Sequence, residues 1–140
     1  MQTLFLGNNE LSSLPETIGH LTALKNLYFG QNKLDSLPES IGHLTALQDL
    51  ELRDNQLTSI PETTGHLTAL EELDLARNLL SSLPETIGQL TTMWTLNLNS
   101  NQLSSLLETL GQLTGCGLCA LEETGSPVVV VAAVVVVVLV

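Results

Sequence analysis

The sequence predicts an α/β solenoid, built by stacking one strand and one short helical turn per unit, and three observations carry that prediction. First, the unit L-x-x-L-x-L-x-x-N-x-L-x-x-L-P-E-x-I-G-x-L-T-x recurs almost five times without a gap, starting at Met1, Leu24, Leu47, Leu70 and Met93. A repeat of this length cannot bury its own apolar face and must stack on its neighbours. Second, the leucines at unit positions 4 and 6 alternate with polar residues, the signature of a strand with one buried face. Third, each unit closes on L-P-E-x-I-G-x-L, a helical-turn pattern too short for a stable isolated helix.

In chain order, the strand pairs are Leu27 and Phe29, Leu50 and Leu52, Leu73 and Leu75, and Leu96 and Leu98. Stacked units would lay these strands side by side as a parallel sheet at about 4.8 Å spacing. Unit position 9 holds Asn9, Asn32, Asn55, Asn78 and Asn101, where the chain must turn away from the sheet. A buried turn leaves peptide groups unpaired, and an amide that both donates and accepts can satisfy them, so these residues are expected to form a structural ladder. Pro15, Pro38, Pro61 and Pro84 suit the opening of a helical turn, with glutamate following at its positive end. Gly19, Gly42, Gly65, Gly88 and Gly111 are expected to end that turn. Two departures mark softer layers. Thr64 stands where Ile18, Ile41 and Ile87 stand in other units, and Leu107 replaces the proline. A buried hydroxyl without a partner costs about 1–3 kcal/mol.

This pattern resembles the typical class of leucine-rich repeat. Its L-P-x-x-I-G-x-L segment is similar to that of plant intracellular Ras-group leucine-rich-repeat proteins and of the scribble and erbin group. The resemblance covers residues 1 to about 121. It implies a right-handed, curved solenoid with a parallel sheet on the concave face and short helical or 3-10 turns on the convex side. It also implies a scaffold that binds other proteins.

Residues 1–121 are read as the repeats, with a partial sixth unit from Cys116, and residues 122–140 as a valine-rich tail. Solenoids need terminal caps. Neither end shows a recognisable one, which suggests a fragment, an alternative start or a truncated gene product. In the sixth unit Cys116 and Cys119 take two leucine places. They read as small apolar side chains, since a structural zinc site needs four ligands and no second pair exists. The run Val128–Val140 is thirteen apolar residues, short of the roughly 20 that a membrane-spanning helix needs. An added edge strand, a low-complexity tail without a role and an anchor for a membrane or partner stay open. With two cysteines and no basic, apolar leader in MQTLFLGNNE, a reducing, cytoplasmic setting is expected.

The net charge is −11, with 15 acids against Lys25, Lys33, Arg53 and Arg77. That excludes the basic stripe a nucleic-acid backbone binder needs. It fits a basic protein partner, or solubility alone. No nucleophile is placed with a base and no phosphate-cradling glycine loop precedes a helix, so no enzyme, catalytic residue or cofactor is expected. His20, His43 and His66 share unit position 20 on the convex side. Gln89 and Gln112 hold that place in later units, which reads as a tolerant solvated column with no metal.

The informative variation lies at unit positions 2, 3, 5, 7 and 8, on the concave side. Phe5, Tyr28 and Trp94 are candidate apolar anchors, and Asp49, Glu51, Glu72 and Asp74 would select a basic partner. Arg53 and Arg77 would add directional hydrogen bonds. The chain is thus expected to be a protein-interaction module. The alternatives are a recognition segment of a larger kinase, GTPase or ubiquitin ligase, or a repeat remnant without function.

Overall fold

A computed structural model describes residues 1–103 and the short stretches Val130–Val131 and Val136–Val138. The expected sixth unit, with Cys116 and Cys119, lies outside the described residues, as do Leu107 and Gly111.

Five strands follow in chain order: β1 (Thr3–Phe5), β2 (Asn26–Tyr28), β3 (Asp49–Glu51), β4 (Glu72–Asp74) and β5 (Thr95–Asn97). Each pairs in parallel with the next. Register matches equivalent unit positions: Leu4, Leu27, Leu50, Leu73 and Leu96 lie abreast. The repeat length read from the sequence is therefore also the register of the sheet. Beyond β5 the sheet continues with β7 (Val136–Val138), parallel to β5, and then β6 (Val130–Val131), antiparallel to β7. Uncharged β-branched residues suit such pairing.

Four 3-10 turns, Glu16–His20, Glu39–His43, Glu62–His66 and Glu85–Gln89, form the opposite layer. Each proline sits just before its turn in an extended conformation, as at Pro38 with φ −70° and ψ 149°. Between the layers lies a core of leucine with Phe29, Ile41 and Ile87, nearly all fully buried. Among the described residues no helix is long and apolar enough to cross a membrane.

The glycines correct one expectation. Gly19, Gly42, Gly65 and Gly88 lie inside the 3-10 turns rather than ending them, and among the described residues no glycine has positive φ. Their role is close approach between layers. A Cβ on Gly19 would lie 2.7 Å from the Ser40 carbonyl oxygen, and one on Gly42 would run into the Thr63 carbonyl. The true left-handed positions fall at unit position 8, at Asn8, Gln31, Asp54, Arg77 and Ser100, with φ between 54° and 58°. There the chain bends out of the sheet, one residue before the asparagines.

Four of the asparagines at unit position 9 each tie three segments together. Asn55 Nδ2 donates to the Leu52 carbonyl of its own unit and the Phe29 carbonyl of the unit before, both at 3.0 Å. Its Oδ1 accepts from the Leu34 N–H at 3.0 Å. Asn32, Asn78 and Asn101 repeat this pattern with their own neighbours. In the first unit, Asn9 Nδ2 bonds within its own turn, to Leu6 and Gly7.

Candidate functional site: the outward face of the sheet

On a three-residue strand the middle leucine points into the core, so unit positions 3 and 5 face outward. Five abreast strands turn those positions into two rows. The first reads Thr3, Asn26, Asp49, Glu72, Thr95, and the second Phe5, Tyr28, Glu51, Asp74, Asn97. Positions 7 and 8 of each unit border the rows on one side.

Phe5 and Tyr28 stack, with ring centroids 4.9 Å apart and planes 14° from parallel. Phe5 remains 74% exposed. The Tyr28 hydroxyl donates to Asp49 Oδ2 at 2.5 Å. This bond to a carboxylate pushes the phenol from an ordinary 10.0 up to about 12, with burial and the charges of Asp49, Glu51 and Glu72 acting in the same direction.

Both arginines on this face are already partnered. Arg53 Nε lies 2.7 Å from Glu51 Oε1, and Arg77 Nη1 lies 3.4 Å from Asp54 Oδ1. Asp74 Oδ1 accepts the Ala76 N–H at 3.0 Å, and Glu71 Oε1 accepts from Gln48 at 3.4 Å. Among the described residues Asp49, Glu72 and Asp74 have no ion-pair partner.

Three open depressions dent the face. The central one, about 360 Å³, is lined by Tyr28, Asp49, Glu51, Arg53, Glu72, Asp74, Thr95 and Asn97, with Leu73 at its base. A second, about 340 Å³, lies toward the first unit between Phe5, Tyr28 and the Glu51–Arg53 pair, with Gly7 and Gly30 below. The third, about 360 Å³, holds Arg77 with Asp54, Asp74 and Asn99. The first two share Tyr28, Glu51 and Arg53 as a common wall.

The face thus brings together eight of the nine candidate partner-binding residues. Trp94 stands apart. It precedes β5, is 45% exposed and lines none of these depressions, while Phe5 lies four strands away on β1. The three aromatics therefore do not make one anchor. Sequence reasoning missed Gly7 and Gly30. Their signal was small size at unit position 7, where Arg53 and Asn99 carry large side chains. His20, His43 and His66 lie exposed on the far side, and among the described residues no three His, Cys, Asp or Glu side chains are grouped to hold a metal.

The comparisons with known proteins agree with this architecture. A family model described as a leucine-rich repeat region matches residues 14–125, and a second, described as a leucine rich repeat, matches residues 1–21. The chain belongs to the leucine-rich-repeat family. A solved leucine-rich-repeat protein of Leptospira interrogans is 41% identical, with a TM-score of 0.79 over 81% of this chain. The match spans 29% of that protein's length. A search of curated proteins found no match. The leucine-rich-repeat fold typically serves as a protein-interaction module and is generally a scaffold without catalytic chemistry.

Proposed function

We propose that the concave sheet face of this leucine-rich-repeat domain binds a protein partner through a basic segment. One observation carries the reading: Asp49, Glu72 and Asp74 converge on the central depression, and among the described residues no cation pairs with them. Carboxylates lining one depression on adjacent strands repel one another, and a lysine- or arginine-bearing segment relieves that repulsion. Glu51 and Asp54 contribute less, because Arg53 and Arg77 already neutralise them. Exposed charges act mainly on the rate of encounter, so binding should weaken steeply with salt.

The variant Glu72→Lys with Asp74→Asn tests this. Asn at position 74 keeps the oxygen that accepts the Ala76 N–H, so the turn is retained. The double variant is expected to bind a fluorescein-labelled Lys-rich peptide at least roughly tenfold more weakly in polarisation titrations, and with a shallower salt dependence. Unchanged affinity would place the partner surface elsewhere.

A further inference from the structure

The central depression is acidic, but its neighbour is not. That second depression is walled by the exposed ring of Phe5, the half-buried ring of Tyr28 stacked on it, and the self-neutralised Glu51–Arg53 pair. Gly7 and Gly30 lie below it. A Cβ at Gly30 would stand 2.6 Å from Glu51 Oε1 and 3.3 Å from Arg53 Cγ, so the missing side chain is what leaves the gap open. The backbone does not require glycine there. Among the described residues no glycine has positive φ, and Ala76 and Asn99 occupy the same unit position later in the chain. Glycine holds unit position 7 only in the first two units, the same units that carry the stacked Phe5–Tyr28 pair.

Resting on the basic-segment reading above, we infer that this depression is a slot for an aromatic side chain of the same partner segment, flanked there by lysine or arginine. A flat ring entering over Gly7 and Gly30 packs against the edges of the stacked Phe5 and Tyr28 rings and meets the Arg53 side chain on its other side. The common wall of Tyr28, Glu51 and Arg53 puts the segment's neighbouring cations over Asp49, Glu72 and Asp74. Charge therefore attracts the segment, and the slot reads one residue type within it.

Three labelled peptides separate the parts: Lys-Lys-Lys-Trp-Lys-Lys-Lys, the same peptide with alanine for tryptophan, and Glu-Glu-Glu-Trp-Glu-Glu-Glu. Polarisation titrations on the full chain should show the tryptophan peptide binding roughly tenfold more tightly than the alanine one, with the acidic peptide not bound. Phe5→Ala and Gly30→Leu should erase that difference while leaving the alanine peptide's affinity in place. Phe5 is 74% exposed, so its loss leaves the core intact, and circular dichroism of both variants checks their folding. Equal affinity for the two basic peptides would overturn the slot and leave the basic-segment reading standing. A tryptophan preference that survives both variants would also overturn it. Failure of both basic peptides to bind the unaltered chain would overturn both readings.

Discussion

Thr64 shows how one side chain can weaken a layer. It is 1% exposed, and its hydroxyl has no hydrogen-bond partner, while Ile41 and Ile87 fill the equivalent places at 0%. Thr64→Ile should therefore stabilise the fold by about 1–3 kcal/mol, raising the midpoint of thermal unfolding followed by circular dichroism. A lower midpoint would mean that the extra methyl groups overfill the layer. This weakness was legible in the sequence, because aligned units place Thr64 in an isoleucine column. The Tyr28–Asp49 hydrogen bond was not, because it needs the diagonal geometry of two adjacent strands. Its consequence is measurable. The folded chain holds the phenol proton more tightly than the unfolded chain, so the contribution of Tyr28 to stability is present below pH 10 and is lost as pH rises toward about 12. Tyr28 is the single tyrosine of the chain, so absorbance at the tyrosinate band reports it alone. The expected midpoint is near 12 in the folded protein, and a midpoint at the ordinary 10.0 would deny the bond.

At the level of elements, strands, turn prolines and the asparagine column could be read from period and residue type, since each follows from local chemistry. The glycine column could not be assigned a cause in the same way. Helical segments commonly end on glycine in a left-handed conformation, yet here the left-handed residues are Asn8, Gln31, Asp54, Arg77 and Ser100. Asparagine and aspartate tolerate that region, but glutamine and arginine give no such signal. What fixes Gly19, Gly42 and Gly65 is the backbone of the following turn, a contact that exists only once units stack. Gly42→Ala should accordingly destabilise the chain by about 1–3 kcal/mol, since the Thr63 carbonyl cannot retreat like the end of a flexible side chain. Denaturant unfolding checks this, and a neutral result would show that the 3-10 turns slide past one another freely.

Across the whole molecule, the repeat does two separate jobs. Its constant positions build the core and the asparagine ladder, and its variable positions display a graded surface: aromatics at β1 and β2, carboxylates at β3 and β4, neutral amides at β5. The constant part made the fold class readable without coordinates. The variable part showed which side chains share the outward face but not which of them touch. Which carboxylates remain free depends on where Arg53 and Arg77 turn, and Trp94 joins the aromatics in composition but not in space. The central claim is that the acidic sheet face captures a basic segment. The most direct test is to titrate a Lys-rich peptide into the isotopically labelled full chain and map backbone amide shifts by NMR. The account predicts shifts clustered on Tyr28, Asp49, Glu51, Glu72, Asp74 and Asn97, fading as salt is raised. Shifts concentrated on the opposite face, around His20, His43 and His66, or none at all, would contradict it.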